Sequence, residues 1–113
     1  MKEVKAIVQS HVVSKVLDAL RALPRFPGVT ISACEGLGRG RGEGGRFEPT
    51  VDNFHLAQHA KIEVFCSDAE TETVVRAIQR AAHTGQPGDG VLMIVDLVSV
   101  VRIRSGQEQQ EAV

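Results

Sequence analysis

With 113 residues, 42% of them hydrophobic, the chain has the length of one globular domain, most domains running to about 100–150 residues, and no room for a two-domain enzyme. Thirteen Lys+Arg against fourteen Asp+Glu give a formal net charge of −1, so no basic field exists to draw in nucleic acid or anionic lipid. Four phenylalanines (Phe26, Phe47, Phe54, Phe65) without Trp or Tyr leave little for a base-stacking platform.

Glu3 to Gln9 alternate, with Val4, Ala6 and Val8 on one face, which is the period of a half-buried strand. The polar-apolar start is unlike a signal sequence, and no apolar run approaches the roughly 20 residues that span a bilayer, so the chain is read as cytoplasmic. From Val13 the period changes: Val16, Leu17, Leu20 and Leu23 follow at helical steps, with Ser10 or Ser14 as a cap and Pro24 and Pro27 as the stop. Val29, Ile31 and Ala33 restore the strand period up to Gly36. A long connection of about 37–58 follows, with six of the eleven glycines between Gly36 and Gly45. Ordering so many glycines costs more backbone entropy than they return in buried area, so this stretch is read as a mobile loop between paired strands.

Ala60 to Cys66 form the next strand, and Ser67-Asp68-Ala69-Glu70 is a capping-box sequence. Val74, Val75, Ile78, Ala81 and Ala82 give the second helix an apolar face, with His83 in its last turn and Gly85 as its stop. Val91 to Val95 make a fully apolar strand, and residues of about 105–113 read as a loose polar tail. The predicted fold is α+β, a ferredoxin-like βαββαβ sandwich forming a single domain over 1–113, with both helices on one face of a four-stranded antiparallel sheet. Cys34 and Cys66 are expected to stay reduced: a hairpin with Glu35 near Ala60 puts them about five residues, or ~16 Å, apart.

Three places carry candidate chemistry. Gly40, Gly42 and Gly45 spell G-x-G-x-x-G, but Phe47-Glu48-Pro49 follows where a dinucleotide site needs a helix. The same loop sets Arg39, Arg41 and Arg46 against Glu43, Glu48 and Asp52, a mixture that suits docking on a partner or a solvated linker. Thr84-Gly85-Gln86-Pro87-Gly88-Asp89-Gly90 can aim several backbone N–H groups at one point, as an anion cradle or a plain helix-to-strand turn. Arg102 and Arg104, two apart on a segment read as extended, would project from one face and grip a phosphate chain, or line a solvated edge. A competing metal reading takes His55, His59 and Cys34 as donors for Zn²⁺ or copper. No Ser-His or Cys-His signature supports an enzyme.

Thr84-Gly85 with Gly88-Asp89-Gly90, then Arg102-Ile103-Arg104-Ser105-Gly106, together with Gly36-Leu37-Gly38-Arg39 and Lys61-Ile62-Glu63-Val64, resemble the PII signal-transduction proteins over nearly the whole chain. The resemblance implies a homotrimer with adenine nucleotide (ATP, ADP or AMP, with Mg²⁺ as an optional companion) in each cleft between neighbours. It implies a central loop that regulates a transporter or enzyme, with the membrane reached only through such a partner and no nucleic acid involved. Phosphate-facing positions by this resemblance are Gly36, Arg39, Gly88, Asp89, Gly90, Arg102 and Arg104. Those near adenine and ribose are Gly28, Val29, Thr30, Glu63, Val64 and Thr84, and the partner-binding loop carries Arg41, Arg46, Phe47, Glu48 and Asp52.

Departures from that pattern narrow the expectation. Val91 replaces a phosphate-contacting lysine, Gly40 the glutamine that helps hold Mg²⁺ and 2-oxoglutarate, and His59 a lysine that supports 2-oxoglutarate, so the usual 2-oxoglutarate response is not expected. Asp52 stands where many members carry a uridylylated tyrosine, and the chain has no Tyr. Glu48 stands where the arginine that plugs ammonium channels is found. Subgroups that resemble this chain in their loops are linked to heavy-metal efflux or bicarbonate. A metal-responsive PII-like or CutA-like protein binding Zn or Cu is the alternative.

Overall fold

The computed structural model describes residues 1–36 and 57–113. In chain order these form β1 (Lys2–Gln9), α1 (Val13–Arg21), β2 (Thr30–Gly36), β3 (Ala57–Cys66), α2 (Thr71–Ala82) and β4 (Gly90–Asp96), with one 3-10 turn ahead of each helix and another at Gln109–Ala112. The sheet order is β2-β3-β1-β4, with every neighbouring pair antiparallel. That is the predicted ferredoxin-like plan.

Alternation along the two central strands explains where the core lies. Val4, Ala6 and Val8 of β1 and Ala60, Ile62, Val64 and Cys66 of β3 are buried on one face, under Val12, Val16 and Leu20 from the first helical segment and Val74, Ile78 and Ala82 from α2. The two helices cover the central strands and leave much of the edge strands exposed, although Leu92 of β4 still packs against the core. Ile31 on β2 and Ile94 on β4, which register against the buried Ile62 and Val4, are 39% and 51% exposed. β4 is apolar on its other face as well, through Val91, Met93 and Val95. A single chain therefore leaves its most hydrophobic strand largely uncovered, which is the pattern of a surface that meets another chain.

The helix starts differ from the sequence expectation. Neither Ser10 nor Ser14 caps α1; residues 10–12 form a 3-10 turn and no side chain bonds the helix start. At α2 the Ser67 Oγ donates to the Glu70 carboxylate at 2.8 Å, while the Glu70 N–H and Thr71 Oγ1 donate to the Ser67 carbonyl at 3.2 and 2.9 Å. The box residues meet, but through carboxylate and carbonyl rather than through a serine oxygen on the helix amides.

The strand register is shifted by two residues from the predicted hairpin: Glu35 pairs with Gln58 and Cys34 with His59. Cys66 then lies about 23 Å along β3 from the row of Cys34. Its thiol is buried against Thr71 Oγ1 at 3.6 Å, and burial pushes its pKa up. We therefore expect thiol titration of the folded protein to label Cys34 and leave Cys66 unmodified until the chain is unfolded; equal labelling rates would contradict this.

Candidate functional site

The predicted polar tail is not loose. Gln109, at φ 59°, reverses the chain, its N–H donates to Val100 O at 2.8 Å, and Ala112 is buried. This returning segment builds one wall of an open groove of about 670 Å³. The opposite walls are Pro27, Gly28, Val29 and Thr30 at the start of β2, Glu63 and Phe65 of β3, and Val100 to Ser105.

Six of the predicted site residues meet here: Gly28, Val29, Thr30, Glu63, Arg102 and Arg104 all line the groove. Thr30 and Lys5 flank Glu63 as its cross-strand partners. Glu3 lies close by on the same sheet face, its pKa pushed up by burial and then by the Glu63 carboxyl, with Lys5 opposing the shift from 3.6 Å. The two arginines are not on an extended segment, however. Gly106, at φ 74°, donates its N–H to the Arg102 carbonyl at 2.8 Å, so Arg102 to Gly106 form a turn. Both reach the groove from that turn, not through a strand's alternation.

Val64, next to Glu63 on β3, is placed differently from it. It faces the helices opposite Val4 with no exposed surface, so its side chain belongs to the core and only its main chain is left to offer a ligand. Sequence reading also missed Phe65, Val101 and Ile103 among the groove's apolar members, of which Ile103 is fully exposed. The apolar positions before and between the arginines were the only signal for Val101 and Ile103.

The glycine turn forms a separate group at the start of β4. Gly90 registers against Val8 on an edge strand, while Thr30 lies on the opposite edge, three strand spacings or about 14 Å across the sheet. Within one chain, then, the turn and the two arginines do not face the same point. Gly36 is at the end of β2, toward the turn's end of the sheet.

Asp89 organises this turn rather than projecting from it. Its carboxylate accepts the Thr84 and Gly85 N–H groups at 2.9 and 3.0 Å and also the Thr84 hydroxyl, with His83 Nδ1 3.7 Å away. The Thr84 hydroxyl and amide, followed by the Gly85 amide, hold the Asp89 carboxyl below its ordinary value near 3.8. Asp89 and Thr84, expected on the phosphate and adenine sides of a ligand, together close this loop as one knot. Because the folded pKa is depressed, the knot's stabilisation is present above pH 3.8 and is lost as pH falls through the lower folded value. Thr84→Val should move the midpoint of that loss upward, followed by NMR of the Gly85 amide against pH; an unmoved midpoint would show that the hydroxyl does not contribute.

Of the predicted metal donors, Cys34 and His59 are direct cross-strand partners. Among the described residues no group of three or more His, Cys, Asp or Glu could hold a metal. His55, Arg39, Arg41, Arg46, Phe47, Glu48 and Asp52 lie outside the described residues. Among the described residues, no helix is long and apolar enough to cross a membrane.

The sequence model of one family, described as Nitrogen regulatory protein P-II, matches residues 1–107. The chain belongs to the P-II family. The P-II chain is 33% identical to a nitrogen regulatory protein P-II of Azospirillum brasilense and 35% identical to one of Microchaete diplosiphon, each across 113 residues and the whole of both proteins. The crystal structure of Arabidopsis thaliana PII bound to citrate resembles this P-II fold with a TM-score of 0.78 and 27% identity, covering 99% of this chain and 91% of that one. The ferredoxin-like architecture and the assignment to nitrogen-regulatory signal transduction therefore stand together.

Proposed function

We propose that this P-II protein is a cytoplasmic regulator, not an enzyme, that binds adenine nucleotide between subunits of a homotrimer. The observation that supports this most is the division of its polar groups. Arg102 and Arg104 share a groove with Gly28, Thr30 and Glu63, while the glycine turn that suits a phosphate lies on the opposite edge strand. A second copy brings one chain's turn to its neighbour's groove, and the bare apolar face of β4 gives the copies a reason to associate. In that cleft the arginines would meet the phosphates in charge-assisted hydrogen bonds, and the groove's apolar members would cover the base.

Nucleotide occupancy would favour one conformation of the segment between β2 and β3, and a transporter or enzyme would bind that conformation best. Arg41, Arg46, Phe47, Glu48 and Asp52 are the residues of that segment assigned to the contact. With Gly40, His59 and Val91 at the effector positions, and no tyrosine in the chain, neither the usual 2-oxoglutarate response nor uridylylation belongs to this reading.

Isothermal titration with ATP, ADP and AMP, repeated for ATP with Mg²⁺ and 2-oxoglutarate, tests it, alongside sedimentation equilibrium. We expect a trimer that binds nucleotide at one site per subunit with no gain from 2-oxoglutarate. Absence of binding by all three nucleotides would overturn the nucleotide assignment, and a tighter site with 2-oxoglutarate would overturn the effector assignment.

A further inference from the structure

Arg25 has no role in the groove's lining, yet it is bonded at both ends of its guanidinium. In the short connection between α1 and β2, its Nη1 donates to Glu70 Oε1 at 2.8 Å and its Nη2 donates to the Val113 main-chain oxygen at 2.6 Å. Glu70 is itself held by Ser67 Oγ at 2.8 Å. One residue before Val113, the carbonyl of the buried Ala112 accepts Arg102 Nε at 2.8 Å. These contacts form a continuous line from the start of α2, through Arg25 and the C-terminal turn, to the arginine at the groove.

We propose that Arg25 is a positioning residue for Arg102, acting through the C-terminal turn; its effect on a ligand rests on the nucleotide-binding reading above. The physical reason is the planarity of the guanidinium. With Arg102 Nε fixed on the Ala112 carbonyl, the plane and direction of the rest of the fork are set before a ligand arrives. The Ala112 carbonyl is in turn a dependable acceptor only while the turn that carries it is held down, and Arg25 clasps the adjacent residue. Arg25 is not among the residues that line the groove, so it acts on a ligand only through this line.

ADP titrations of the wild type, Arg25→Ala, Arg102→Ala and the double variant, paired with amide hydrogen exchange over residues 100–113 of the nucleotide-free proteins, test the proposal. Arg25→Ala should weaken ADP binding by about three- to tenfold with little change in Tm, its ion pair being exposed. The double variant should bind no more weakly than Arg102→Ala alone, the sign of two residues acting on one contact. Arg25→Ala should also speed exchange at the Arg102 and Gln109 amides, which donate to Gln107 and Val100 carbonyls at 2.8 Å. Additive losses, or an unchanged affinity beside faster exchange, would overturn the positioning role. If the wild type binds no ADP, the nucleotide reading falls and the positioning role with it, while the exchange arm alone still decides the clasp: unchanged exchange overturns it, and faster exchange supports it.

Discussion

Gly90→Ala should destabilise the protein by about 3–5 kcal/mol, a large share of the ~5–15 kcal/mol that holds a small domain folded. Gly90 opens β4 at φ 106°, and a Cβ built there would lie 1.8 Å from the Ile7 carbonyl oxygen and 2.9 Å from its carbon. Both partners are backbone atoms of the adjacent central strand, so no side chain can rotate away to relieve the overlap. The β1–β4 ladder would have to part where Val8 pairs with Gly90. Gly28→Ala is the control: its φ of 79° is also positive and disfavours a side chain, but nothing lies within 4 Å of the added carbon. Urea unfolding of both variants separates conformation from clash. Equal losses would show that β4 shifts freely and that the close approach does not matter.

Arg102→Ala should weaken nucleotide binding by about 1.5–3 kcal/mol, the usual worth of a hydrogen bond to a charged group, or roughly 10- to 150-fold in Kd. Arg102 joins the groove to the C-terminal turn through its Nε bond to Ala112, so its removal takes away a charge and frees the turn. Arg104→Ala removes a charge from the same groove and leaves the Arg102–Ala112 bond in place. Calorimetric titration should therefore show the larger loss for Arg102→Ala. Arg102→Lys should remain weak, because an ammonium cannot hold the Ala112 carbonyl and present a planar fork to a ligand at the same time. Wild-type affinity in Arg102→Ala would remove this residue from the proposed site.

The elements were legible because their signals are local. The alternation of Val4, Ala6 and Val8 is the burial pattern of β1, and the helical spacing of Val74, Ile78 and Ala82 is the buried face of α2. The order of these elements was enough for the fold. Boundaries followed less closely, since Ser10 and Ser14 were candidate caps by type and the chain entered α1 through a 3-10 turn instead.

The candidate site was legible as a set of residues, not as a geometry. Gly28, Thr30, Glu63, Arg102 and Arg104 line one groove, while the Asp89 carboxylate closes its own loop and the Val64 side chain lies in the core. A carboxylate beside glycines reads the same whether it faces a ligand or the two amides behind it. Arg25 had no signal at all: a lone arginine between Pro24 and Pro27 gives no hint of Glu70 or Val113, 45 and 88 residues away.

By itself, the sequence determined the strands and helices, their order, the family pattern and the absence of any tyrosine, because each is written in neighbouring residues or in composition. Only the tertiary structure decided the two-residue shift that sets Cys34 against His59, the bare edges of β2 and β4, the return of the C-terminal turn and the separation of the glycine turn from the arginines. Those features depend on how far two helices extend over a four-stranded sheet and on which distant donors find acceptors once they do. Periodicity along one segment carries no record of that.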